Sequence, residues 1–337
     1  MTEPGKNFVV YQTVEREEAG QRLDNYLFRH LKGVPKSHVY RILRGGEVRV
    51  NKKRQDAAYR VQEGDAIRLP PVRRAAPEKS RASEDAARRA ALVRLPVVFE
   101  DEAVLVVDKP AGLAVHGGSG VSFGVIETLR RQRPEAKFLE LAHRLDKETS
   151  GLLLIGKKRA ALNRLHDMFR AGGKQVDKRY LILVKGYWTS PVQQVKLPLF
   201  KFLTESGERR VRVDAEHGKA SHTVFRLLAR WRRFSLLEGQ LKTGRTHQLR
   251  VQLAHLGHPI LGDEKYGDFA LNRALTGEGL KRMALHAARL DCPHPLEASR
   301  LSLRAPLPEA LKAFISHLDA VEERDFGAGD AWQTELN

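Results

Sequence analysis

Along the first seventy residues, apolar side chains recur at helical spacing and then switch to alternation. Leu23, Leu27 and Leu31 stand four apart, which predicts a short helix over Gln21–Leu31. Pro35-Lys36-Ser37 supplies a turn and a start for a second helix carrying Val39, Ile42 and Leu43, and Gly45-Gly46 ends it. Val48 and Val50 then alternate with Glu47, Arg49 and Asn51, and Ala66–Leu69 follows a turn at Glu63-Gly64-Asp65. Two helices followed by strands predict a small α+β module. Between Pro71 and Leu95 the chain is rich in Ala, Arg and Pro and holds no aromatic residue, a linker composition with helical tendency over Glu84–Ala91.

Beyond Leu95 the pattern is β-rich, with strands expected at Val104–Val107, Leu152–Ile155, Tyr180–Val184, Val224–Leu228 and Phe234–Leu241. Leu162, Leu165 and Phe169 predict a helix ending at Gly172-Gly173. Leu249, Leu253 and Leu256 predict another, capped by Thr246 and stopped by Gly257 and Pro259. Strands cluster rather than alternating strictly with helices. The expected class is therefore α+β, with a large mixed or antiparallel sheet flanked by helices rather than a doubly wound parallel sheet. No internal repeat is evident. The expected division is an N-terminal extension over 1–17, the small α+β module over 18–70, a linker over 71–95, a large domain over 96–320, and an acidic, frayed tail over 321–337.

Charge sharpens this picture. The 337 residues carry 59 Lys and Arg against 41 Asp and Glu, a net charge of +18, and half of that excess lies between Gly20 and Arg74. Clustered positive charge binds polyanions by displacing condensed counterions, so nucleic acid is the expected partner. An anionic membrane is a poorer match, because no basic amphipathic helix carries Trp or Phe anchors. The longest aliphatic runs are far too short to span a bilayer. The start, MTEPGKNFVV, lacks the apolar core of a secretory signal, and the single cysteine, Cys292, rules out an intramolecular disulfide and thiolate-rich zinc clusters. A cytoplasmic protein without metal is expected.

Three stretches invite chemistry. His143-Arg144-Leu145-Asp146-Lys147-Glu148-Thr149-Ser150-Gly151 sets a carboxylate in a polar loop against an apolar strand. A carboxylate acts as a nucleophile when it is ionised and partly desolvated, and Arg144 or Arg245 could supply the favouring charge. The residues alone leave two readings for Asp146, a nucleophile or a turn cap paired with Lys147. Gly239 to Thr246 nearly matches a phosphate loop, but Arg245 holds the lysine position and the acidic strand lies upstream instead of downstream, which argues against a triphosphatase. Gly117-Gly118-Ser119-Gly120 misses the dinucleotide spacing, since the next glycine is Gly124. His247, His255 and His258 have neither an HExxH frame nor the spacing for one small ion.

Longer motifs carry resemblances. GQRLDNYL, PKSHVYRILRGGEVRVNKKR and EGDAIRLP, spanning about Glu18–Leu69, resemble the S4 RNA-binding domain. That resemblance implies that Lys36, Ser37, Arg41, Arg44, Arg49, Lys52, Lys53 and Arg54 lie at RNA phosphates, where contacts position more than they specify. VLVVDKPAGLAVHGG, HRLDKETSGLLLIGK, KRYLILVKG and KTGRTHQLRVQLAHLGHPILGDEKYG, in that order between about Leu95 and Leu318, resemble the RluA family of pseudouridine synthases. The resemblance implies isomerisation of uridine in RNA, with no cofactor and no metal. It makes Asp146 the nucleophile, Tyr180 the residue packed on the base and a candidate for removing the C5 proton, and Arg245 the partner of Asp146. It further puts Arg144 in the RNA helix where the flipped uridine has left, and Ile155 and Leu253 on the apolar pocket wall. The implied substrate is large-subunit (23S) ribosomal RNA, naked or in an assembling particle; a monomer is expected. The competing expectation is a catalytically silent RNA-binding factor in ribosome assembly.

Overall fold

The structure, a computed structural model, describes residues 9–31, 33–72, 93–117 and 123–327. The helical tendency over Glu84–Ala91, most of the Gly117–Gly120 loop and the end of the tail lie outside these residues. The chain divides into two compact units, before and after residue 86.

The first unit holds β1 (Val10–Thr13), α1 (Leu23–His30), α2 (Lys36–Arg44), β2 (Arg49–Val50) and β3 (Ala66–Leu69). Leu23, Leu27, Val39 and Ile42, the residues whose spacing predicts the helices, are buried together with Val50, Ile67 and Leu69 from the strands. One element was not expected. β1, from the segment read as an extension, pairs antiparallel with β3 through Val10 and Leu69, giving a sheet of order β1-β3-β2. Its exposed Val10 and Tyr11 conceal any alternating pattern. Asn51 and Lys52, both at positive φ, make the two-residue turn that closes Val50 on Lys53.

The second unit is built on one 12-stranded sheet. Its strands are β4 (Val97–Glu100), β5 (Val104–Lys109), β6 (Glu140–Leu141), β7 (Ser150–Gly156), β8 (Asp177–Lys185), β9 (Val192–Leu203), β10 (Arg209–Val213), β11 (Lys219–Arg230), β12 (Phe234–Leu241), β13 (Leu285–Pro293), β14 (Arg300–Arg304) and β15 (Phe326–Gly327). Along the main path the order is β10-β9-β11-β12-β8-β13-β7-β5-β4, antiparallel except where β13 runs parallel to β7. β15 pairs with β11, so the segment read as a frayed tail begins inside the sheet. Among the described residues five helices flank it: α3 (Val125–Gln132), α4 (Arg159–Ala171), α5 (Gln248–His255), α6 (Phe269–Gly277) and α7 (Glu309–Val321).

The continuous apolar runs are explained by burial of both sheet faces. On β8, Tyr180, Ile182 and Val184 enter one core while Leu181 and Leu183 enter another. On β7, Leu153 and Ile155 face the first core and Leu152 and Leu154 a third. The parallel junction of β7 with β13 needs Gly151: it sits at φ +109°, and a Cβ there would lie 2.3 Å from the Ala287 carbonyl oxygen. Gly239 lies inside β12, paired with Tyr180, so the stretch resembling a phosphate loop is strand where a loop is required.

Candidate active site

Asp146 sits in the loop between β6 and β7, with its side chain 23% exposed. Leu145 before it is buried in the first core and Thr149 N–H donates to the Asp146 carbonyl, so the loop is pinned on either side of the carboxylate. Lys109, at the end of β5, reinforces this from below. It is fully buried and donates from its ammonium to three carbonyls, those of Pro110, Leu113 and Lys147, at 2.8, 2.8 and 3.0 Å. Burial presses its pKa down to about 7, against the charges of Glu148, Asp146 and Asp108. The lysine thus ties the Asp146 loop to the turn after β5.

The cation on Asp146 is Arg250. Its Nη1 donates to Asp146 Oδ2 at 3.0 Å, while Nε and Nη2 form a fork on Asp263 at 2.7 and 2.8 Å. Asp263 is 1% exposed and also accepts from the backbone N–H groups of Lys265 and Tyr266. Burial alone would raise the Asp263 pKa. The hydrogen bonds and charge of Arg250 outweigh it and hold the carboxyl below its ordinary value. Arg250, pulled further upward by both carboxylates, is permanently charged.

This corrects the expectation for Arg245. That side chain is exposed and its Nε donates to the Ala220 carbonyl, and among the described residues no hydrogen bond or ion pair joins it to Asp146. The cap of α5 also differs from the expected one. His247, at φ 53°, precedes the helix in place of Thr246, and no side chain caps it. The shift follows from tertiary packing: Gln248 at the first turn accepts from Arg245 N–H and from the Thr243 hydroxyl, acting as a cap from inside the helix.

Tyr180 faces the same core as Leu145 and is 8% exposed. Burial, with the nearby Asp146 charge, pushes its hydroxyl pKa well up, so it is a neutral phenol at physiological pH. Such a group can pack on a base and donate a hydrogen bond, but it is a poor general base. Ile155 and Leu253 are both 0% exposed and belong to the core beneath, so they back the site without forming an accessible wall. Arg144 is exposed beside Asp146, and among the described residues its guanidinium has no hydrogen-bond or ion-pair partner. Lys178, two residues before Tyr180 on β8, lies over the Phe169 ring at 5.4 Å, and burial lowers its pKa to about 8 without help from any carboxylate.

An Asp held by a forked Arg, with a buried Tyr beside it, on a large mostly antiparallel sheet, can be set against known proteins. Residues 103–255 match the family described as RNA pseudouridylate synthase, and residues 21–67 match the S4 domain. Ribosomal large subunit pseudouridine synthase C of Escherichia coli K12 is 51% identical over 307 residues, covering 90% of this chain and 95% of that protein. The protein of that name from Yersinia pestis is 49% identical over 300 residues, covering 89% and 92%. This chain belongs to the RNA pseudouridine synthase family. A solved structure, human RNA pseudouridylate synthase domain containing 1, superposes with a TM-score of 0.58 at 26% identity, covering 72% of this chain and 94% of that one.

In this pseudouridine synthase the residues read as phosphate contacts are spread over α2 and the β2 turn: Lys36, Ser37, Arg41, Arg44, Arg49, Lys52, Lys53 and Arg54 are all exposed. None forms a salt bridge among the described residues. Arg49 and Arg54 instead donate to the backbone carbonyls of Gly46 and Arg44, which fixes their stems and leaves the charge uncompensated. Elsewhere, Asp101, His294 and Glu297 bring three ligand-type atoms together, but His294 is already engaged, with Nε2 on Asp101 and Nδ1 accepting from Glu297 N–H. Among the described residues no helix is long and apolar enough to cross a membrane.

Proposed function

We propose that this chain converts specific uridines of large-subunit ribosomal RNA to pseudouridine, acting as a cytoplasmic monomer with Asp146 as nucleophile. The observation that carries the residue assignment is the Asp146 carboxylate, partly exposed at the site, anchored by Arg250 through Oδ2 and backed by Tyr180. The reaction balances internally: the N1–C1′ bond breaks, the uracil turns, a C5–C1′ bond forms, and the C5 proton is lost as N1 gains one. No oxidant or reductant is consumed. Asp146 serves either by attack on C1′ or by assisting a glycal route. Flipping the uridine out of its stack costs a few kcal/mol. Arg144, without a partner among the described residues, fills the gap, and exposed cations of the first unit supply offsetting phosphate contacts.

The test uses unmodified large-subunit rRNA transcript, incubated with the purified chain and mapped for pseudouridine by carbodiimide labelling and primer extension. Stops at a few discrete uridines are expected. No stops, on naked RNA or on partly assembled particles, would replace this reading with a silent assembly factor. The first unit has its own expected signature. Replacing Arg41, Arg44, Lys52 and Lys53 together by Gln should weaken rRNA binding and reduce the slope of log K against log salt by about 0.7 to 0.9 for each phosphate no longer neutralised. An unchanged slope in filter binding from about 50 to 200 mM salt would remove these residues from the interface.

A further inference from the structure

His247 immediately precedes α5, the helix that carries Arg250. Its backbone is left-handed, a conformation non-glycine residues seldom adopt, and this turns the imidazole back toward the Asp146 loop. Nε2 lies 3.8 Å from Asp146 Oδ2, the oxygen that Arg250 already holds. Nδ1 lies 2.8 Å from the Tyr266 hydroxyl, whose oxygen also accepts from Val211 N–H at 3.0 Å. The carboxylate facing Nε2 favours the tautomer with its proton on that nitrogen, in which Nδ1 accepts from the Tyr266 O–H.

We propose that His247 is a positioning residue for the nucleophile: Arg250 Nη1 holds Asp146 Oδ2 by a hydrogen bond, and His247 Nε2, 3.8 Å away and beyond hydrogen-bond distance, faces the same oxygen electrostatically, committing Oδ2 to the protein and leaving Oδ1 to attack. Among the described residues no hydrogen bond ends on Oδ1. The inference rests on Asp146 being the nucleophile. Burial lowers the His247 pKa, as do the charges of Arg250 and Lys265, against the opposing pull of Asp146 and Asp263. These are the charged groups around the ring, from α5, the loop after it and the loop before β7. The ring is therefore neutral through the physiological range. On acidification Nδ1 takes a proton, can no longer accept from Tyr266, and the anchored geometry is lost. Tyr266 extends the support outward, since Val211 belongs to β10, whose Arg210 and Arg212 are on the sheet edge.

The test compares His247→Asn with His247→Gln in single-turnover isomerisation of an rRNA fragment. Asn tolerates the left-handed backbone and reaches only as far as Nδ1, whereas the Gln amide reaches the position of Nε2. Expected is a roughly 10- to 100-fold loss for H247N at unchanged RNA Kd, recovery of most of that rate in H247Q, and loss of the acid limb of the wild-type pH–rate profile in H247Q. Wild-type rate in H247N, equal loss in both variants, or a Kd that weakens in parallel with the rate would each overturn the proposal. If H247N does not fold, Tyr266→Phe removes the donor to Nδ1 and is expected to slow the same step; full rate in Y266F would also overturn it. Activity surviving in Asp146→Asn would mark failure of the nucleophile assignment instead.

Discussion

Asp146→Asn is expected to lower pseudouridine formation by at least about 10³-fold while leaving the Kd for large-subunit rRNA within about twofold. The amide keeps the size and one acceptor of the carboxylate, so Arg250 retains a partner as well as its fork on the buried Asp263. Folding and RNA docking should therefore be little affected. What disappears is the nucleophilic oxygen, and removing a group that acts only on the reacting centre lowers the chemical step without changing binding. Release of tritium from C5-labelled uridine in transcript, under single-turnover conditions with enzyme in excess, measures the step directly. Turnover near the wild-type rate would withdraw Asp146 as nucleophile. Equal loss of rate and RNA affinity would give it the structural role of a turn cap.

Some of this site was legible in the sequence and some was not, for physical reasons. The Asp146 loop could be found because its neighbours are local: the polar run ends on Gly151, and the apolar strand that pins it follows at once. The strands of the large sheet were legible as apolar runs, since both faces of the central strands are buried. Arg250 was missed because the spacing of Leu249, Leu253 and Leu256 suggests an amphipathic helix with its charge in water. In the fold α5 is buried nearly all round, and Gln248, Arg250 and Gln252 find their partners inside the protein. A signal was present: an Arg amid buried apolar residues needs a carboxylate, and Asp263 follows thirteen positions later. His247 carries only a metal-ligand signal in the sequence, because its partner Tyr266 is nineteen positions away and its backbone conformation has no sequence mark. β1 was missed for the opposite reason, as an edge strand whose side chains stay exposed and whose contribution is main-chain pairing.

Arg250→Met is expected to cost about 3 to 5 kcal/mol of stability, the usual loss when one partner of a buried ion pair is removed, and to abolish activity. The cost falls on Asp263. At 1% exposure it keeps two backbone N–H donors but loses the guanidinium fork that opposes its desolvation. Arg250→Lys separates the two functions. An ammonium can neutralise Asp263 but cannot also hold Asp146 Oδ2 in the planar geometry of three guanidinium nitrogens, so R250K should fold and be slowed by roughly 100-fold. The sign of the pH dependence identifies the mechanism. In the wild type the Asp263 pKa lies below its ordinary value of 3.8, so its contribution is complete above that value and is lost as pH falls through the lower, folded one. In R250M burial dominates and the folded pKa rises above the unfolded one. The variant then gains stability from this group as pH falls toward about 5, because the buried carboxyl can take a proton. Urea unfolding between about pH 7 and 5 should therefore show the gap between R250M and wild type narrowing on acidification. A gap constant with pH would mean that Asp263 stays ionised without Arg250, and that the backbone donors of Lys265 and Tyr266 are enough to hold it.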